Sequence, residues 1–96
     1  MNHGIFIVKI IENPIDLSYN QNPVLKIQVQ FAKIGRKNSK SQINLLLWGG
    51  FREDFINYYK IQDYLLIEGI ITSKGYNDHQ DEVKLIAKRV YPFLLN

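Results

Sequence analysis

SQINLLLWGGFREDFINYYKIQDYLLIEGIITS, residues 41–73, is the stretch that decides the fold. It opens with a period of two. Ile43, Leu45 and Leu47 fall on one phase and Gln42, Asn44, Leu46 and Trp48 on the other, as in a strand with an inner and an outer side. Gly49-Gly50 ends that run. In FREDFINYYK the period changes: Phe51, Phe55 and Tyr58 or Tyr59 recur at three- to four-residue spacing. That spacing predicts a short helix, with Glu53 and Asp54 early in it, where the helix dipole favours acids. From Tyr64 to Ser73 the period is two again, with Leu65, Ile67, Gly69 and Ile71 on the core phase.

Working outward, IFIVKII (Ile5 to Ile11) is β-branched and aromatic and runs into the turn signal Asn13-Pro14. Both of its phases are apolar, so this strand is expected to be buried on one side by the core and on the other by a second copy. Phe6, Val8 and Ile10 are assigned to the contact with that copy. Residues 12–23 (ENPIDLSYNQNP) read as turns. From Val24, Leu25, Ile27, Val29 and Phe31 alternate with Lys26, Gln28, Gln30 and Ala32, a strand with one wet face. Phe31 belongs to the inward phase and reads as core. A final strand runs from Val83 to Tyr91, with Val83, Leu85 and Ala87 inward and Lys84, Ile86 and Lys88 outward.

The predicted order is three strands, a helix and two strands. That is the layout of an all-β, five-stranded OB-fold barrel with one short helix between strands three and four, occupying residues 1–96 as a single domain. An SH3-like barrel lacks the helix, and a ferredoxin-like domain needs two long ones.

Composition narrows the function. The 96 residues are 46% hydrophobic and 22% charged, a globular mixture, and contain no cysteine for disulfides or thiolate metal sites. No apolar run reaches the roughly 18 residues of a membrane span, and the N-terminus lacks a secretory pattern. Neither a membrane nor a small-molecule substrate is expected. The net charge of +3 favours anionic partners. Ile, Asn and Lys number 14, 9 and 9, residues with AT-rich codons. That association points to an AT-rich genome, with the cytoplasm or nucleoid, or a plastid stroma, as the compartment. There is no phosphate-binding Gly-Lys-Ser/Thr motif, no nucleophile elbow and no paired His at ligand spacing. NDHQDE, with Asp78, His79, Asp81 and Glu82, reads as an acidic loop better than as a metal or acid–base site. An enzyme is not expected, and no cofactor is implied.

Two kinds of group suit a nucleic-acid strand. An outward aromatic stacks any base, which fits Trp48 and also Tyr76, held on a turn beside Lys74 and Gly75. Cations track phosphates: Lys33, Arg36, Lys37 and Lys40 cluster in KIGRKNSK, with Lys26, Lys84 and Lys88 on outward strand faces.

The ordered set LLLWGGF…NYY…YLLIEGIITSKGYND…EVKLIAKRV resembles the bacterial and organellar single-stranded DNA-binding (SSB) protein family, and ENPIDLSY resembles that family's Asp-Pro turn segment. The resemblance places Trp48 and Tyr76 at base-stacking positions. It implies sequence-tolerant binding of single-stranded DNA in replication or repair, by a homodimer or homotetramer. There are departures. Gln42 stands where the family has a third stacking aromatic, and Gln62-Asp63 replaces a Lys-Gly turn. The chain stops at YPFLLN where bacterial members continue into a Gly/Pro-rich tail with an acidic tip, so it resembles the short tailless members. The alternatives are a primosome-type OB adaptor working through protein contacts and an RNA-binding OB module.

Overall fold

Six strands and one helix follow one another along the chain: β1 (His3–Ile10), β2 (Ile15–Tyr19), β3 (Asn22–Phe31), β4 (Gln42–Trp48), α1 (Gly49–Tyr58), β5 (Tyr64–Thr72) and β6 (Lys84–Pro92). They are seen in a computed structural model that describes residues 3–19, 21–32, 42–73 and 83–93. β1 pairs with both β3 and β5, β3 with β4, and β5 with β6, all antiparallel. A short parallel ladder, Asn44 to Leu46 beside Lys84 to Ile86, joins β4 to β6. These pairings close five strands into a barrel, with α1 between the third and fourth of them. It is the expected OB-fold.

The strand β2 corrects the reading of residues 12–23 as turns alone. Ile15 to Tyr19 pair with Asn22 to Lys26, along the same edge of β3 whose far end, Val29 to Phe31, takes β1. Between the two ladders Ile11 donates its N–H to Gln28 O at 3.1 Å. Pro14, which has no N–H to give, falls between the ladders, so the chain resumes pairing after it.

Alternation carries through to the core. Leu25, Ile27, Val29, Leu45, Leu47, Leu65, Ile67 and Leu85 are buried inside the barrel. Phe6 and Phe31 pack on them with ring centroids 5.9 Å apart. Phe55 of α1 is fully buried, and Phe51 and Tyr59 pack beside it. The helix starts two residues before its expected limit, so Glu53 and Asp54 lie beyond its first turn, which holds no acid. Gly49, with φ +62°, makes the left-handed step into it.

Two further expectations change. Val8 and Ile10 are wholly buried in the barrel core, and Phe6 packs against it, so this phase of β1 is not a contact surface for another copy. Register sets this: Phe6 pairs with Ile67, Val8 with Phe31 and Leu65, and Ile10 with Val29, so the phase shares the inner face of β3 and β5. The outward phase is Ile5, Ile7 and Lys9, with Ile5 67% exposed. Val83, read as inward, lies outside β6 and is exposed.

Gly69 is required by a close approach. The β5–β6 register passes from Glu68–Arg89 to Gly69–Ala87, leaving Lys88 as the extra residue of a bulge. A Cβ on Gly69 would stand 2.2 Å from Ile86 O. No other residue fits without moving the backbone.

Candidate nucleic-acid interface

Register assembles the outward side of β3 and β4 row by row. Val24 faces Trp48, Lys26 faces Leu46, Gln28 faces Asn44 and Gln30 faces Gln42. Directly opposed side chains of such pairs lie about 5 Å apart and diagonal ones about 7–8 Å, so each row touches the next. At one end the surface is apolar and aromatic. Val24 and Leu46 are buried although they point outward, apart from the barrel's inner cluster, and Trp48 beside them is half-exposed. Lys26 comes next. The other end carries four amides, with Gln28 Nε2 donating to Gln42 Oε1 at 2.7 Å.

Trp48 is held from two sides. It closes β4 and is also the N-cap residue of α1, in extended conformation. Next to it, Arg52 of α1 donates to Asp16 Oδ1 of β2 at 2.8 Å, tying the helix to the strand whose Leu17 pairs with Val24. An exposed indole face is the kind of group that stacks a base, a lysine the kind that pairs with a phosphate, and amides carry both donors and acceptors. The amide row was not singled out from the sequence. Its only signal there is that four of the outward positions of two facing strands are Gln or Asn.

The remaining expected site residues divide. Lys84 is corrected: it is only 6% exposed and engaged within the fold, in register with Asn44 and Thr72. Lys88 is exposed, but it stands at the bulge, where β6 has already left β4 and runs along β5. The structure therefore does not bring it to the Trp48 surface. Lys33, Arg36, Lys37, Lys40, Lys74 and Tyr76 lie outside the described residues, as do Asp78, His79, Asp81 and Glu82. Among the described residues no group of His, Cys, Asp and Glu is placed to hold a metal.

A second outward surface lies on β1, β5 and β6. Ile5, Ile7, Leu66, Ile70 and Tyr91 occupy it, with Ile5 and Tyr91 well exposed. Polar groups cross it as well: Glu68 accepts from Arg89 at 3.1 Å and pairs with His3 Nε2 at 3.2 Å, and Lys9 lies at its edge opposite Tyr64. The hydrogen bonds from His3 and from Arg89 hold the Glu68 carboxyl below its ordinary pKa.

No family model matches the chain. A curated protein of Trieres chinensis named "Putative single-stranded DNA-binding protein ycf41" is 32% identical over 100% of this chain and 92% of its own length. Among solved structures, the SSB domain of a Synechococcus sp. protein superposes with a TM-score of 0.73 at 22% identity, covering 95% of this chain and 94% of that one. The second single-stranded DNA-binding protein of Mycobacterium smegmatis gives 0.75 at 19% identity over 95% and 87%. The small single-stranded DNA-binding protein of Streptomyces coelicolor gives 0.70 at 9% identity over 98% and 96%. At these identities the solved structures speak for the fold, whereas the Trieres relative, matched along the whole chain, speaks for descent: the chain belongs to the single-stranded DNA-binding protein family.

Proposed function

We propose that the chain binds single-stranded DNA without catalysis, acting as one OB domain over residues 1–96. The observation that carries this is the outward surface of β3 and β4, where a half-exposed Trp48, fixed by α1, neighbours Lys26 and runs into four amides. Stacking of that kind contributes about 1–3 kcal/mol per base and tolerates any sequence. Lys33, Arg36, Lys37 and Lys40 track the backbone in this reading, and Tyr76 stacks a further base with Lys74 on the next phosphate. The name of the Trieres relative suggests a plastid gene, which agrees with the AT-rich codon bias and favours a plastid stroma.

The protein works as a homodimer or homotetramer, joined through Ile5, Ile7, Leu66, Ile70 and Tyr91 in place of the inward phase of β1. Contiguous apolar surface of this kind is seldom left open on a monomer.

The test is a salt titration of oligo-dT, oligo-rU and a duplex of equal length, read by Trp48 fluorescence. Quenching by dT is expected, with each neutralised phosphate contributing about −0.7 to the log–log salt slope. Equal affinity for the duplex overturns the reading, and tighter binding of rU reassigns it to RNA.

A further inference from the structure

At the far end of α1 from Trp48 the helix, the start of β5 and the end of β6 enclose a hollow of about 140 Å³. Tyr58, Tyr59, Tyr64, Pro92 and Phe93 line it, with one charged residue, Asp63. We propose that this hollow receives an arginine side chain of a protein partner.

Three independent features select a cation over an apolar group. Asp63 is a carboxylate in an otherwise aromatic wall, with Oδ2 held at 3.0 Å by the N–H of Lys60. The C-terminal end of α1, the negative end of its dipole, opens here, and no basic residue occupies its last turn. The aromatic wall already attracts a cation within the chain: Lys9 Nζ sits 5.9 Å from the centroid of Tyr64. The proton affinity of Tyr59 agrees with this field. Burial raises the pKa of its hydroxyl most, and Asp54 and Asp63 raise it further.

Arginine fits better than lysine. A guanidinium is planar and weakly hydrated, stacks on a tyrosine face, and meets a carboxylate through two parallel hydrogen bonds. The wall is also preorganised. Phe93 N–H donates to Tyr64 O at 3.1 Å, Gln62 N–H to Ile10 O at 2.8 Å and Asp63 N–H to Lys60 O at 3.0 Å, so the backbone of the wall is already ordered when a side chain enters. Ten helical residues lead from Trp48 to the hollow, about 15 Å at 1.5 Å per residue, so the hollow is a site apart from the β3–β4 surface.

The probe is N-acetyl-arginine N-methylamide, titrated while the aromatic carbon–proton NMR signals are followed, with the glutamine and proline analogues as controls. Saturable shifts of Tyr58, Tyr59, Tyr64 and Phe93 are expected with the arginine probe alone. Asp63→Asn should weaken it about fivefold or more, and Tyr58→Ala about threefold, the sizes expected of a charge pair and one stacked ring. Tyr58 is 74% exposed, so its variant tests the site even where Asp63→Asn fails to fold. Quenching of Trp48 by oligo-dT should be unchanged in Tyr58→Ala, which separates this site from the DNA surface. The proposal is overturned by no shifts, by equal shifts with the glutamine or proline analogue, or by wild-type affinity in both variants.

Discussion

The β3–β4 surface and the β1–β5–β6 surface belong to one barrel and share one core, yet they carry opposite chemistry. Outside β3 and β4 stand a ring, a lysine and four amides, with the apolar Val24 and Leu46 buried beneath their own neighbours. Outside β1, β5 and β6 aliphatic side chains such as Ile5 are left open, and the ion cluster around Glu68 and the edge residue Lys9 give polar relief. Groups of the first kind gain from solvated, charged ligands because they keep hydrogen bonds and π-faces available. Groups of the second kind gain from leaving water altogether, at about 25 cal/mol per Å² of apolar surface. In the proposed reading, the first side holds a strand and the second joins a copy of the chain.

The largest effect should come from what both surfaces share. Gly69→Ala places a methyl group where Ile86 O already stands, and the bulge that turns β6 from β4 to β5 must move. A loss of about 3 kcal/mol or more is expected, with DNA binding and self-association failing together in thermal melts and titrations. Loss of one activity alone would show that the bulge serves only one surface.

Ile5→Glu separates the two surfaces. Ile5 is 67% exposed in a single chain, so the charge is harmless there but unsatisfied in a contact between copies. Self-association should weaken by about 2 kcal/mol or more in sedimentation equilibrium, with the dT affinity of each chain kept. Val8→Glu, by contrast, should unfold the chain, since Val8 lies in the core.

These positions also show where the sequence is legible. The barrel strands and α1 follow from period two and a period near four, because alternating burial is what makes those periods. IFIVKII defeats the same logic: with both phases apolar, nothing in the pattern says whether Val8 or Ile7 faces the axis, and the register with β3 and β5, which sets Val8 beside Phe31 and Leu65, decides it. β2 was hidden because Asn13-Pro14 and the Asn and Pro after it signal turns, and they outweighed the five-residue alternation of Ile15, Leu17 and Tyr19 with Asp16 and Ser18. Leu46 and Lys84 were read as outward, and they are, but on a curved surface outward and exposed differ. Trp48 was legible because its phase and its place before Gly49 both set it at a strand end. The hollow beside Tyr64 was not, since Pro92 and Phe93 come to it from the end of β6, far along the chain from Tyr58, Tyr59, Asp63 and Tyr64.

Within the β3–β4 surface, stacking and charge should part cleanly. Trp48→Ala is expected to lose about 1–3 kcal/mol of dT binding with an unchanged salt slope. Lys26→Ala should lose less and flatten the slope by about 0.7. Lys84→Ala should leave the slope alone and lower stability, because its side chain is engaged inside the fold. A flattened slope in Lys84→Ala would return that lysine to the strand.

The smallest effect belongs to the polar relief on the other surface. Hydrogen bonds from His3 and Arg89 depress the pKa of Glu68 in the folded chain relative to the unfolded one. A depressed carboxylate contributes stability above its unfolded pKa and loses it as the pH falls through the folded pKa. At neutral pH Glu68→Gln should therefore lower the melting temperature slightly, since both partners are substantially exposed and surface pairs are weak. The difference from wild type should stay constant down to the ordinary carboxylate range, shrink below it, and vanish once the folded carboxyl is protonated. A difference that instead grew with acid would mean that Glu68 is held as the neutral acid. The outward surface of β1, β5 and β6 would then be less charged than an ionised Glu68 makes it.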